Sequence, residues 1–400
     1  MNLTISQLLQ CAEQFGTPLY VYNADNISYQ YNILQHAFAS HPTRFFYACK
    51  ALTNISILKY VYQLGASLDC VSINEVKLGL YAGYDPKRIL FTPNCVEFSE
   101  IQEAKELGVL INIDSISVLE LFGNTYGDTY PVCIRINPHI EAGGNYKIST
   151  GHIDSKFGIS IHQIRHIERI VKTTGLHVHG LHMHTGSEIK DIDVFLQALD
   201  VLFDMANRFT ALDFLDLGSG FKVPYKAGDT GTDIHKLGEK VALAFKTFEQ
   251  EYGRPLEAWF EPGKFLVSNA GYLLVNTNLI KQTTATVFAG INSGFNHLIR
   301  PMFYDAYHEI LNISHPDGPE RIYTVVGNIC ETDTFAWDRV IPEIKEGDIL
   351  CFKNAGAYGF EMSSNFNSRL KPAEVLVQNG VPKLIRKRQT FEDLLHNQVE

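Results

Sequence analysis

Apolar runs that stop at polar or glycine residues recur along the first two thirds of the chain. Eight of them are predicted to be buried strands: 45–50, 67–72, 89–94, 110–115, 131–138, 180–186, 214–220 and 258–263. Segments with helical spacing lie between most of these strands, at 74–80, 97–107, 162–172, 192–208 and 234–250. Eight strands alternating with helices predict an α/β fold, a (β/α)8 TIM-type barrel, and a doubly wound open sheet is the alternative that periodicity leaves open.

The pattern changes after residue 271, where strand-like runs follow one another with turns between them. They cover 272–282, 284–290, 321–326, 348–354, 374–378 and 383–388, and predict an antiparallel β domain. The early run PLYVYN, at 18–23, is a further strand that could complete this sheet. We therefore predict a barrel domain at 25–270, and a sandwich or Greek-key-like β domain made of 1–24 and 271–400.

Composition narrows the class of protein. The 400 residues are 45% hydrophobic and 20% charged, and the net charge of −10 disfavours a nucleic-acid surface. No apolar run approaches the roughly 18 residues of a membrane span, and the N-terminal segment lacks the basic region of a secretory signal, so we expect a cytoplasmic protein. Seven cysteines without a C-x-x-C pair lead us to expect neither disulfides nor a zinc site.

Polar residues at the predicted strand ends are the candidate active-site residues, because barrel enzymes place their active groups at the C-terminal ends of the strands. Lys50 ends the first strand and is a candidate reactive amine, although a lysine that reaches into water is the alternative. The turn 218–220, Gly-Ser-Gly, follows the seventh strand, where barrels often hold a phosphate on backbone N–H groups, and Ser187 could add a hydroxyl.

A lysine, a phosphate turn and a carboxylate at one barrel mouth suggest pyridoxal phosphate. Lys50 would bind the aldehyde, Glu261 would pair with the pyridine nitrogen and His184 would stack on the ring. We expect His184 to share a face with His179 and His182; metal binding is the rival interpretation of these histidines, and we expect no metal.

Two neighbouring residues in the second domain are also candidates. Cys330 and Glu331 place a thiol beside a carboxylate, which could donate a proton and bind a substrate amine. The alternative for Cys330 is a small buried hydrophobic residue.

These motifs, in this order, resemble those of the fold-type III pyridoxal-phosphate-dependent amino acid decarboxylases, and within them the branch that acts on diaminopimelate. The resemblance covers nearly the whole chain. It rests on FFYACKA, LDCVSINEV, RINP, ISTG with SKFGI, GLHMHTGSEI, LDLGSGF, EPGK, HLIRPMFYDAYH, NICETDTFA and GAYGFEMSSNFNSRLKPAEVLV.

The resemblance implies a role for each candidate residue. Lys50 is the lysine that holds the cofactor, His184 stacks on its ring and Glu261 pairs with its nitrogen. Cys330 returns a proton to the substrate across a homodimer interface. The expected cofactor contacts also include Asp69, Ser187, Gly218, Ser219, Gly220, Gly263, Lys264 and Tyr358. The expected substrate contacts are Lys264, Arg300, Tyr304, Glu331 and Tyr358.

The implied reaction is decarboxylation of meso-2,6-diaminopimelate to L-lysine and carbon dioxide, the last step of lysine biosynthesis. The chain departs from the family where Lys264 replaces a common arginine, and where Thr332-Asp333 replaces Ser-Gly. The alternatives are a decarboxylase of the same fold acting on another basic amino acid or carboxynorspermidine, a racemase of related fold, and a non-catalytic relative that binds pyridoxal phosphate.

Overall fold

A computed structural model of the protein describes residues 2–140 and 155–399. The ISTG stretch at 148–151 lies outside the described residues. The chain divides into two compact units. One, here called the barrel unit, contains Gln30–Val223 and Thr230–Phe265; the other, the β unit, contains Met1–Tyr29, Pro224–Asp229 and Leu266–Glu400.

The helices and strands of the described residues are numbered in chain order. The strands are β1 (Leu19–Asn23), β2 (Thr43–Ala48), β3 (Ser67–Cys70), β4 (Ile89–Phe91), β5 (Leu110–Ile113), β6 (Val132–Asn137), β7 (Ile159–Ser160), β8 (Val178–His182), β9 (Phe214–Asp216), β10 (Glu257–Phe260), β11 (Gly271–Gln282), β12 (Val287–Ile291), β13 (Ile310–Asn312), β14 (Glu320–Val326), β15 (Thr334–Pro342), β16 (Ile349–Phe352), β17 (Ala373–Gln378) and β18 (Val381–Arg386). The helices are α1 (Ile5–Phe15), α2 (Ala24–Ala37), α3 (Ile55–Gln63), α4 (Ile73–Ala82), α5 (Phe98–Glu106), α6 (Ile116–Tyr126), α7 (Ile164–Thr174), α8 (Ile192–Ala206), α9 (Ile234–Tyr252), α10 (Lys264–Val267), α11 (Arg300–Tyr304) and α12 (Phe391–Leu395).

The barrel unit contains a closed parallel barrel. Within the described residues its strands follow the order β2, β3, β4, β5, β6, β8, β9 and β10, and β10 pairs with β2 to close the ring. All of these pairings are parallel, and the short β7 adds to β6 outside the ring. The predicted barrel is therefore confirmed, and all eight predicted strands are present.

Capping and apolar spacing explain where the barrel helices begin and end. The Asp233 side chain accepts a hydrogen bond from the Lys236 N–H at the start of α9, and Gly253, at φ 81°, ends the helix in the left-handed conformation. The residues of α9 that are buried recur at intervals of three and four: Ile234, Leu237, Gly238, Val241, Phe245 and Phe248. This spacing places one apolar face inward.

The β unit contains a sheet whose strand order is β15, β14, β12, β11, β1, β17 and β18, with β16 pairing to both β11 and β13. The N-terminal strand β1 lies between β11 and β17, far from both in sequence. The other pairings of this sheet are antiparallel, so the predicted antiparallel β domain is confirmed, and β1 with β17 and β12 with β14 are its two parallel pairs.

Two strands of the β unit were not predicted, β13 and β15. The first has only three residues, and the second carries exposed charges and a bulge near Asp338, at φ 44°, which break its alternation. The strand predicted at 284–290 begins later, at Val287, because Thr283 and Thr286 form a turn. No helix of the described residues is long and apolar enough to cross a membrane.

Candidate functional site

Lys50 follows the end of β2 in a short 3-10 turn, Cys49–Ala51. The register of the barrel pairs Ala48 with Asp69 on the neighbouring β3, which brings the two charged side chains together. The Lys50 Nζ lies 3.8 Å from Asp69 Oδ2, with the lysine side chain 42% exposed and the aspartate 1% exposed. The amine therefore has access to the barrel mouth, while its acidic partner is enclosed by the barrel.

Glu261 follows β10 and belongs to a group of buried carboxyl groups that also includes Asp69 and Asp216. Burial, and then the negative charge of Glu261, raises the pKa of Asp69 to about 7. The same two causes hold the pKa of Asp216 well above its ordinary range, and burial raises the pKa of Glu261. Lys50 and Arg135 are the nearby cations that oppose this rise at Glu261. Additional positive charge at this mouth would therefore favour the ionised carboxylates.

One carboxylate oxygen of Glu261 makes a hydrogen bond to a side chain and the other makes none within the described residues. Its Oε2 lies 3.1 Å from Nε2 of the buried His182, while Oε1 is buried and makes no hydrogen bond within the described residues. Burial, and then the positive charge of Arg135, holds the pKa of His182 well below its ordinary range, so this imidazole is neutral. A buried carboxylate oxygen without a donor suits a protonated ring nitrogen as its partner.

His184 lies just beyond β8, near the turn after β9. Burial lowers its pKa well below the ordinary range, so it too is neutral. The backbone N–H of Ser219 lies 3.4 Å from His184 Nδ1 and donates to it. This contact holds the imidazole beside the Gly-Ser-Gly turn.

The Gly-Ser-Gly turn needs its glycines. Gly218 and Gly220 have φ values of 61° and 95°, which side chains rarely adopt. A Cβ on Gly220 would overlap the Gly186 carbonyl oxygen, and one on Gly218 would lie 2.6 Å from His184 Nδ1. The Ser219 hydroxyl donates to the Glu261 carbonyl at 2.9 Å. Backbone N–H groups in such a narrow turn suit a phosphate, whereas the Ser219 hydroxyl has a protein partner.

Lys264 begins the short helix α10, and its ammonium is largely buried. Its Nζ lies 2.7 Å from Oε1 of Glu188, a residue at φ 65° in the loop after Ser187. Gly263 precedes Lys264, and a Cβ there would lie 3.1 Å from Ala48. Glu188 was not among the predicted site residues, yet it offsets the charge of the lysine predicted to bind cofactor and substrate.

The β unit holds the remaining predicted residues. Arg300 is buried at the start of α11, with its guanidinium 5.8 Å from the ring centre of Tyr304 and 5.5 Å from that of Tyr225. Its Nε is buried and makes no hydrogen bond within the described residues. Arg300 therefore lies beside two aromatic rings, donates to the Tyr225 hydroxyl at 3.5 Å and has its Nε–H left as a donor for an anion.

Cys330 and Glu331 are exposed neighbours in the loop before β15. The Cys330 thiol lies 3.4 Å from Glu331 Oε2, and the Asn367 amide donates to the sulfur at 3.2 Å. The alternative interpretation of Cys330 as a buried core residue was wrong, since it is exposed. Tyr358 lies in the small-residue loop of the same unit, at φ 56°.

Besides Glu188, three residues of the barrel mouth were not found from the sequence: Asp216, Arg135, and His182 as the partner of Glu261. Their common signal is a charged or titratable residue inside an otherwise apolar strand, as in VCIRIN. The expectation that His179 shares the face of His182 was wrong, because residues three apart on a strand point to opposite faces. His179 contacts Phe214, at a ring distance of 5.1 Å.

Two groups in the described part of the chain have metal-ligand geometry. His182, Asp216 and Glu261 each place a ligand atom within 4.8 Å of the others, and so do Cys49, Cys70 and Glu75. In the first group the positive charge of Arg135 acts on both carboxylates, which disfavours a cation. The absence of a metal remains a prediction.

Comparison with known proteins identifies the family. Residues 24–268 match the family described as pyridoxal-dependent decarboxylase, pyridoxal binding domain. The chain belongs to this family. The diaminopimelate decarboxylase of Methanothermobacter thermautotrophicus is 41% identical over 401 residues, with 98% of this chain and 93% of the relative covered. That of Campylobacter jejuni is 35% identical over 394 residues, with 96% of each covered.

A solved structure of a diaminopimelate decarboxylase has nearly the same fold. The diaminopimelate decarboxylase from Helicobacter pylori complexed with L-lysine has a TM-score of 0.90 and 30% identity, and 98% of each chain is covered. Because the chain belongs to a pyridoxal-dependent decarboxylase family, pyridoxal phosphate is its cofactor. The free Glu261 oxygen and the narrow glycine turn fit its ring nitrogen and its phosphate.

Proposed function

We propose that this decarboxylase converts meso-2,6-diaminopimelate to L-lysine and carbon dioxide, as the last step of lysine biosynthesis. The observation that carries the proposal is the barrel mouth, where the exposed Lys50 amine lies 3.8 Å from the Asp69 carboxylate, and where a second carboxylate, Glu261, has an oxygen without a hydrogen bond among the described residues. The diaminopimelate decarboxylases that match nearly the full chain support this substrate.

Different residues of the barrel would bind different parts of the cofactor. Lys50 would bind its aldehyde carbon, the turn at 218–220 and Ser187 would bind its phosphate, and neutral His184 would pack on its ring. When bound, pyridoxal phosphate supplies a sink for the electron pair that the departing carboxylate leaves behind. Glu261 would hold the proton on the ring nitrogen, where its negative charge strengthens that sink. Asp69 keeps its carboxyl beside Lys50.

The β unit carries the residues for the substrate. Arg300 would bind the distal carboxylate of diaminopimelate through its free Nε–H, and Tyr304 fixes the orientation of the guanidinium. Glu331 would accept a hydrogen bond from the distal amine. Cys330 would return a proton to the α-carbon, since its thiol is exposed and lies within hydrogen-bond distance of the Glu331 carboxylate and the Asn367 amide.

The assembly and location are part of the same proposal. We infer that the protein is a homodimer in which Cys330 and Glu331 serve the partner's barrel, because both are exposed on the β unit. Domains at 25–270, and at 1–24 with 271–400, would correspond to these two functions. A cytoplasmic location is supported by seven cysteines that are all free thiols.

A different basic amino acid or carboxynorspermidine is the second candidate substrate. The observation that favours it is the 2.7 Å contact between Lys264 and Glu188, which offsets the charge of a cation expected to attract the distal carboxylate. In that case Glu188 would instead favour a distal cation. Arg300 is the group that decides between the two, because only a substrate with a distal carboxylate requires its guanidinium.

Carbon dioxide release from the cofactor-loaded protein tests the proposal. The substrates are meso-diaminopimelate, lysine, ornithine, arginine and carboxynorspermidine. We expect carbon dioxide release from diaminopimelate with lysine as product. Arg300→Gln should lose most of this activity. The exposed Arg321→Gln is the matched control and should keep it. Release from another substrate would replace the proposed one, and no release from any of them would favour a racemase or a non-catalytic relative.

A further inference from the structure

Arg300 is a buried cation without a carboxylate partner in the described part of the chain. It is 5% exposed and makes no ion pair there, and its guanidinium makes one hydrogen bond, from Nη2 to the Tyr225 hydroxyl at 3.5 Å. Burying a guanidinium costs free energy that an anion at its Nε–H would offset. Because arginine binds carboxylates through donors in a fixed plane, the orientation of the guanidinium decides how well it binds one.

Tyr225 contacts Arg300 from a segment that contains none of the predicted site residues. This segment, Pro224–Asp229, follows the turn after β9 and belongs to the β unit. Its own hydrogen bonds close it, since the Tyr225 N–H donates to Asp229 Oδ2 at 3.4 Å and the Asp229 N–H donates to the Lys226 carbonyl at 3.0 Å. The guanidinium carbon of Arg300 lies 5.5 Å from the centre of the Tyr225 ring. Tyr225 therefore contacts Arg300 through both its ring and its hydroxyl.

The Tyr225 hydroxyl has a second partner in Ser268. The two hydroxyl oxygens lie 2.5 Å apart, and Ser268 is completely buried in the 3-10 turn Ser268–Ala270. The Gly356 N–H donates to the Ser268 carbonyl at 3.1 Å and anchors this turn. A guanidinium can only donate, so the tyrosine oxygen accepts from Arg300 and keeps its own proton to donate to Ser268. A chain of hydrogen bonds thus links a buried serine to the guanidinium.

His308 lies on the Tyr225 ring and is neutral. The two ring centres are 5.8 Å apart with planes at 81°, and His308 Nδ1 lies 2.9 Å from the Lys353 carbonyl oxygen, to which it donates. Burial, and then the positive charge of Arg300, lowers the pKa of His308 to about 3. The positive charge beside Tyr225 is therefore carried by Arg300 and not by His308.

We propose that Tyr225, held by Ser268, is a positioning residue that fixes the Arg300 guanidinium for the distal carboxylate of the substrate. The inference rests on the proposed function, in which Arg300 binds that carboxylate. Tyr225 acts through Arg300 and is not itself a contact of the substrate. A donor that is already oriented loses less conformational entropy when its ligand binds. Removing the tyrosine hydroxyl therefore weakens ligands that carry the distal carboxylate and spares ligands that lack it.

L-lysine and 1,5-diaminopentane test the proposal, because they differ only by the distal carboxylate. Binding of each radiolabelled compound to the cofactor-loaded protein is measured by equilibrium dialysis, which does not depend on turnover. Tyr225→Phe keeps the ring beside Arg300 and removes only the hydroxyl. We expect it to weaken L-lysine binding about three- to tenfold and to change 1,5-diaminopentane binding by less than about twofold.

Tyr62→Phe is the matched control. It makes the same change in the barrel unit, at a half-buried ring whose centre lies 4.7 Å from the guanidinium of Arg88. Both affinities should stay as they are in the parent protein. An unchanged preference for L-lysine in Tyr225→Phe would overturn the proposal. If Tyr225→Phe does not fold, Ser268→Ala, which removes the partner of the tyrosine hydroxyl, decides by the same comparison.

A double-mutant cycle asks whether Tyr225 acts through Arg300. In the Arg300→Gln background, Tyr225→Phe should change L-lysine affinity by less than about twofold, because the group that it positions is gone. An equal loss in both backgrounds would contradict the positioning role. If Arg300→Gln alone loses the preference for L-lysine while Tyr225→Phe keeps it, only this inference fails. If Arg300→Gln keeps the preference, the distal carboxylate binds elsewhere, and the proposed role of Arg300 fails as well.

Discussion

Asp69→Asn should make the protein less sensitive to alkaline pH when the cofactor has been removed. Asp69 is 1% exposed, and its nearest charged partner in the structure is Lys50, at 3.8 Å. Burial and the charge of Glu261 raise its pKa from 3.8 to about 7. The folded protein therefore keeps a proton on Asp69 at pH values where the unfolded chain has lost it. Asparagine has nearly the same shape and never ionises.

The direction of the effect follows from the raised pKa. Below about pH 4 the carboxyl is protonated in both states and contributes nothing to the pH dependence. Above about pH 4 the unfolded state binds fewer protons than the folded state does. The free energy of unfolding therefore falls with rising pH until the pH passes the pKa of Asp69 in the folded protein. The full loss is the shift from 3.8 to about 7 multiplied by 1.36 kcal/mol per unit, or about 4 kcal/mol, of which about 3 kcal/mol falls between pH 5 and pH 8.

Urea unfolding followed by circular dichroism, at pH 5 and pH 8, measures the effect. The cofactor is first removed with hydroxylamine and dialysis. Between pH 5 and pH 8 the free energy of unfolding should fall by about 3 kcal/mol more in the unmodified protein than in Asp69→Asn. Asp204→Asn, an exposed change in α8, is the matched control and should behave like the unmodified protein. Equal pH dependence in the unmodified protein and in Asp69→Asn would refute the reasoning.

Three further predictions concern the cofactor and the turnover. Lys50→Ala should lose the visible absorption band of the lysine-bound cofactor together with carbon dioxide release, and a persisting band would disprove the assignment. Cys330→Ala should lower turnover at least tenfold, since general acids contribute about 10²–10⁴-fold. The absorbance of the bound cofactor should be retained. The control Cys95→Ala changes another exposed cysteine and should leave turnover unchanged. Gly220→Ala should weaken cofactor affinity at least tenfold by titration, because its Cβ would strike a backbone oxygen. Gly228→Ala, at a similar φ in open space, should keep that affinity.

The sequence alone predicted the barrel and several of the residues at its mouth. Apolar runs stopping at polar residues are a local signal, because each buried strand must end where its backbone leaves the core. Lys50, the Gly-Ser-Gly turn and Glu261 could be assigned to strand ends for the same reason. The N-terminal strand was also recognisable from its own composition, and it lies in the sheet of the β unit.

The tertiary structure decided which side chains meet and what state they are in. Glu261 pairs with His182, and Lys264 pairs with Glu188, across strand ends that are distant in sequence. Strand order and register set these contacts, and a linear pattern does not contain them. The raised pKa of Asp69 depends on burial inside a closed ring, since charge repulsion and desolvation arise only when the strands enclose the carboxyl groups.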